Sequence, residues 1–221
     1  MIHPLREAMV LYNNVTMKTE FLRADHPVAL RHAADVLKHG GMVVFPTDTV
    51  YGLAALPSQT EYVERLYIVK GRNSARAIAL LIAEAGELGK VSSAPNATAM
   101  RLAERLWPGP LTLIVHRHPS LPDVLSPEPT IGVRIPDHPV ALALLRMTGP
   151  LAVTSANLSG QENTNTAKEA LNQLEGRVHL IIDGGRTPGG IPSTVVDCTG
   201  PKPVILREGP VSEEEIRKAL A

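Results

Sequence analysis

Apolar residues along this chain follow two rhythms, short unbroken runs and stretches spaced three and four apart. The runs read as strands: residues 17–24, then Met42–Phe45, Ile78–Ile82, Leu111–Val115, Ile131–Ile135, Leu151–Val153, Val178–Ile182, Val195–Cys198 and Val204–Leu206. Between them lie helical patterns. Ala29, Ala33, Val36 and Leu37 share a face; Asp25 or His26 can cap that helix, Pro27 suits its first turn, and Gly40-Gly41 end it. Ser58 with Glu61, Thr166 with Glu169 and Ser212 with Glu215 have capping-box spacing and open three more helices. Pro95 starts a helix whose apolar face includes Met100, Leu102, Leu106 and Trp107, stopped by Pro108-Gly109-Pro110; residues 138–147 form another. Strands alternating irregularly with helices predict an α/β (α+β) protein, a mixed parallel and antiparallel sheet with helices packed on it. The last two strands follow each other directly, which implies antiparallel pairing. Residues 1–20 lack clean periodicity and are expected to form a loose N-terminal extension to a single domain over 21–221.

Composition narrows the function classes. With 22 basic and 22 acidic side chains among 221 residues, no overall field recruits nucleic acid or an anionic membrane. Seven aromatic residues are few for a base-stacking platform. No apolar run approaches the ~20 residues of a membrane span, so a cytoplasmic protein is expected. The one cysteine, Cys198, excludes an internal disulfide framework and sits in an apolar run, where it reads as core filler.

The stretch FPTDTVYGL behaves like neither core nor ordinary loop. An apolar run stops at Pro46, and Thr47, Asp48 and Thr49 put three hydrogen-bonding side chains at a strand end, where α/β proteins tend to hold ligands. A turn satisfied by its own side chains is the alternative. Similar chemistry recurs at other element ends: Lys70 and Arg72 after a helix, Ser155 and Asn157 after Leu151–Val153, Ser193 and Thr194 before a strand. Arg134 and Arg207 lie in or at the end of apolar strands. A charge unpaired in a sheet interior costs several kcal/mol, roughly, so each faces an anion, an acid or solvent. Taken singly, either is a strand-edge arginine; with Lys70 and Arg72, convergence on an anionic ligand is the stronger reading. No GxxxxGK[ST] loop, no GxGxxG after a strand, no histidine ligand spacing and no nucleophile elbow are present. Chemistry here is therefore expected to proceed by positioning and charge neutralisation.

PTDTVYGL, KGR, VRIPDHP, TSANLSG, PSTVVD and ILREGP occur in an order and spacing that resemble the YrdC-type threonylcarbamoyl-AMP synthases, over about residues 25–217. The resemblance implies a twisted mixed sheet of the YrdC/RibB-like kind around a large concave cavity. It implies condensation of L-threonine, bicarbonate and ATP to threonylcarbamoyl-AMP and pyrophosphate, with magnesium carried mainly by the ATP phosphates. The product would serve the tRNA threonylcarbamoyl-transferase machinery, which modifies the adenosine beside the anticodon. Residue by residue, Thr47, Arg134, Val153 (through its backbone) and Ser193 would hold threonine. Lys70, Arg72, Thr130, Ser155, Asn157 and Arg207 would bind ATP, and Lys70, Arg72, Ser155 and Asn157 would carry catalysis. Asp48 and Thr49 would only shape the turn. One departure stands out: Asn73 and Ala77 replace prolines usual after KGR, and Arg76 adds a charge there. The alternatives are a non-catalytic double-stranded RNA or tRNA-binding module and the carbamoyl-transfer domain of hydrogenase-maturation proteins, whose acylphosphatase-like and zinc-finger regions are missing here.

Overall fold

The computed structural model of the chain describes residues 17–71, 73 and 76–221. Most of the expected N-terminal extension lies outside them, as does Arg72. The described residues form β1 (Glu20–Arg23), α1 (Ala29–Lys38), β2 (Val43–Phe45), β3 (Gly52–Ala55), α2 (Thr60–Lys70), β4 (Ala79–Leu81), α3 (Leu88–Val91), α4 (Ala97–Leu106) and β5 (Leu111–His116). After these come β6 (Thr130–Arg134), α5 (Pro139–Thr148), β7 (Leu151–Ser155), α6 (Ala167–Leu174), β8 (Leu180–Asp183), β9 (Thr194–Asp197), β10 (Val204–Arg207) and α7 (Glu213–Leu220). None of these helices is long and apolar enough to cross a membrane.

The strands make one sheet in the order β1-β8-β2-β3-β7-β4-β6-β5-β9-β10. Neighbours β1/β8, β2/β8, β4/β6 and β5/β9 are parallel and the other five pairs antiparallel, β9/β10 among them, so the mixed sheet is as expected. Side chains alternate between two cores, as a pleated strand requires. On one face Val44, Leu53, Leu80, Ala152 and Ile181 pack under α2, α4, α6 and α7; on the other Val43, Phe45, Ala54, Leu81, Leu151 and Leu180 pack under α1 and α5. The second core contains no residue of β5, β6, β9 or β10. Two helices do not cover a ten-stranded face, and the uncovered part becomes a hollow.

Four sequence expectations change. Gly52–Ala55, read only as part of a motif, is a fully buried strand, because pairing with β2 on one side and β7 on the other overrides its low strand propensity. Helix α1 starts after Val28 without a side-chain cap, since Asp25 is drawn to Arg23 at 2.7 Å. Helix α2 starts after Gln59, one residue too late for Ser58 and Glu61 to form their box. On α4 the buried stripe is Ala99, Leu102 and Ala103, and Met100 is exposed. By contrast, Ser212 and Glu215 form the full capping box, and Thr166 accepts from the Glu169 amide.

Candidate active site

The connection between β2 and β3, residues 46–51, is stapled by its own hydroxyls. Thr47 Oγ1 donates to Val50 O at 2.6 Å and accepts from the Thr49 amide at 3.2 Å. A carbonyl only accepts, so in the 3.0 Å contact between the two hydroxyls Thr49 is the donor and Thr47 the acceptor. Thr49 Oγ1 in turn accepts from Arg134 Nη1 at 2.9 Å. Arg134 ends β6, pairs its Nη2 with Asp48 Oδ1 and gives its Nε to Gly109 O at 3.0 Å. Asp48 and Thr49 therefore do more than shape a turn: they hold the arginine at 6% exposure. Burial pushes the guanidinium below its ordinary pKa, and Asp48 opposes that shift.

A second cluster forms where β7 ends. Lys70, last residue of α2 before the left-handed Gly71, donates to Ser155 O and Asn157 O, both at 2.5 Å. Ser155 Oγ donates to Asn157 Oδ1 at 2.5 Å, and Asn157 Nδ2 donates to Leu158 O and Gln161 O. An ammonium and an amide thus shape one turn. A third cluster joins β9 and β10: Arg207 donates to Ser193 O from Nε and Nη2, at 3.0 and 2.7 Å, and Ser193 Oγ meets Thr112 Oγ1 at 2.8 Å. Burial holds Arg207 below its ordinary pKa.

These three clusters border one cavity of about 570 Å³. Of the expected site residues, it brings together Thr47, Lys70, Arg134, Val153, Ser155, Asn157, Ser193 and Arg207. Thr130 stands apart: it begins β6 while Arg134 ends it, roughly 13 Å away along the strand, and it does not line the cavity. Val153 also lines the cavity, and in the sheet it stands in register with Ala54 of β3 and Ala79 of β4.

The floor consists of residues whose roles the sequence reading missed, including Ala79, Thr112 and Gly132. A Cβ on Gly132 would stand 3.0 Å from Thr112 Cγ2, so a larger residue would fill the hollow. In the sequence Thr112 in LTLIV and Gly132 in IGVR stand out only as breaks in otherwise apolar strands; the pairing of β5 with β6 brings them to one hollow. Arg76 also reaches the cavity, adding a fourth cation to Lys70, Arg134 and Arg207, and no carboxylate is among the described lining residues. Likewise, no group of three or more His, Cys, Asp or Glu side chains is placed to hold a metal among the described residues. Such walls attract a polyanion and do not suit a protein-built magnesium site.

The family model described as Telomere recombination (Sua5, YciO, YrdC) matches residues 35–209. A Bacillus subtilis threonylcarbamoyl-AMP synthase is 40% identical over 208 residues, 91% of this chain and 59% of that protein. A putative threonylcarbamoyl-AMP synthase of Mycobacterium tuberculosis is 40% identical over 190 residues, 85% of this chain and 87% of that protein. Among solved structures, Pyrococcus abyssi Sua5 complexed with L-threonine superposes with a TM-score of 0.86 at 36% identity, over 92% of this chain and 60% of that chain. The chain thus spans about three-fifths of the Bacillus protein's length.

Proposed function

The chain belongs to the Sua5/YciO/YrdC family, and on that premise we propose that it is a threonylcarbamoyl-AMP synthase. One observation carries the reading: Lys70, Arg76 and Arg207 line, beside the Asp48-paired Arg134 and with no carboxylate among the described lining residues, a cavity floored by small side chains. That cavity has the charge for a nucleoside triphosphate and the room for a small amino acid beside it.

In the proposed reaction the threonine nitrogen attacks the bicarbonate carbon and water leaves, forming a carbamate. A carbamate oxygen then attacks the α-phosphorus of ATP, and pyrophosphate departs with the bonding pair. Arg134 meets the threonine carboxylate, with Ser193 nearby. Lys70 and Arg207, joined by Arg76 at the cavity and Arg72 by resemblance, take up the negative charge that gathers on the phosphates. Ser155 and Asn157 keep the turn beside Lys70 in shape. Magnesium enters as part of the Mg·ATP substrate, and Thr130 extends the nucleotide's path beyond the cavity. The product is an activated acyl donor, to be consumed by a tRNA threonylcarbamoyl-transfer step.

The test is pyrophosphate release from ATP, measured with each substrate omitted in turn. Release that needs both L-threonine and bicarbonate is expected. Release that continues without either of them ends this reading.

A further inference from the structure

Asp48 lies behind Arg134 and is not itself a cavity-lining residue. Its Oδ1 accepts from Arg134 Nη2, while its Oδ2 is buried with no hydrogen-bond partner among the described residues. The carboxylate therefore depends on that one guanidinium. Arg134 has five N–H groups. Three are committed: Nε to Gly109 O, one Nη1 hydrogen to Thr49 Oγ1 and one Nη2 hydrogen to Asp48. One hydrogen on each terminal nitrogen is left, on a residue that borders the cavity. The hydroxyl chain behind Thr49 runs one way, from Arg134 through Thr49 and Thr47 to Val50 O. Thr47 Oγ1 thus has its donor and both acceptor positions in use, and the motif addresses the cavity's occupant through the arginine.

We propose that Asp48 is a positioning residue: by fixing the guanidinium plane against Thr49 and Gly109, it presents the remaining pair of N–H groups to the carboxylate of the amino-acid substrate. This deepens the synthase reading and rests on it for the identity of that substrate. Asp48 touches no substrate atom and acts only through Arg134. A displacement of the guanidinium by a fraction of an ångström spoils two-point recognition of a planar carboxylate.

The test compares wild type, Asp48→Asn, Arg134→Ala and the double variant. Asn keeps the shape and one acceptor but loses the charge. Asp48→Asn should raise KM for threonine about tenfold or more and leave KM for ATP within about twofold. In the Arg134→Ala background it should add nothing to the threonine defect. Asp48→Glu, which keeps the charge but is one methylene longer, provides a second reading should the Asn variant fold poorly: a raised threonine KM supports positioning, and an unchanged one overturns it. Equal rises for threonine and ATP, or full additivity in the double variant, also overturn it. A measurement independent of turnover separates this inference from the synthase reading. In ¹⁵N spectra the Arg134 Nη signals should be distinct and slowly exchanging in wild type and averaged in Asp48→Asn; unchanged signals sink the positioning role whatever the enzyme's activity.

Discussion

At the residue scale, the cations differ in what surrounds them, and that separates their functions. Arg134 is neutralised by Asp48, so its directional N–H groups matter more than its net charge. Lys70 is bonded to the carbonyls of Ser155 and Asn157, so it is both a charge facing the cavity and a brace for the turn. Arg134→Ala should therefore raise KM for threonine far more than for ATP, and Lys70→Ala should do the reverse. Lys70→Ala should also lower the unfolding free energy by about 2–4 kcal/mol, because two carbonyls lose charge-assisted bonds. Steady-state kinetics with each substrate varied, together with urea titration, checks both halves. Equal loss for the two substrates would mean that the two cations have been assigned wrongly. Tyr51 and Cys198 mark the other extreme. Burial pushes each up to about 12, so both stay protonated at neutral pH, and the phenol donates to Gly185 O at 2.7 Å. For Cys198 this agrees with its reading as core filler.

At the element scale, the local signals that worked were those whose side chains had no competitor. Ser212 and Glu215 found each other, whereas Asp25 was taken by Arg23. Asn96 shows what a cap adds when it also ties two elements: its Oδ1 accepts from the Ala99 amide at 2.9 Å and its Nδ2 donates to Cys198 O at 2.5 Å, joining the start of α4 to the end of β9. Asn96→Ala should cost about 1–2 kcal/mol of stability, and Asn96→Ser, which keeps the cap but not the tie, clearly less. Chemical denaturation of both variants decides it; equal losses would show that only the cap matters. The capping position was not legible from Pro95 alone. Strand β3 was not legible either, because Gly52, Ala54 and Ala55 carry no strand preference of their own.

At the scale of the whole molecule, two histidines link stability to pH. His179 accepts the Met42 amide on Nδ1 at 3.0 Å, at the junction of β8 and β2, and His138 stands at the N-terminus of α5 with a buried Nδ1 that has no hydrogen-bond partner among the described residues. Burial holds both below the ordinary histidine pKa, against Asp48 and Asp137 for His138; for His179, Arg65 adds to the lowering and Glu20 opposes it. The unfolded chain then binds the extra protons. Their contribution is fully present above about pH 6.5 and is lost as the pH falls toward the folded values. Urea midpoints should decline between pH 7 and pH 5, and His179→Asn should flatten part of that decline; an unchanged slope would remove His179 from the account. Periodicity and contiguous motifs are written locally, and they sufficed for the alternation of strands and helices, the mixed sheet, the family and most of the polar residues around the cavity. Long-range packing set the rest: which face of the sheet stays uncovered, that Gly132 and Thr112 form its floor, that Thr130 lies away from it and that Asp48 stands behind Arg134. Those facts depend on pairing between strands far apart in the chain and on how far two helices reach across ten strands, which no local pattern encodes.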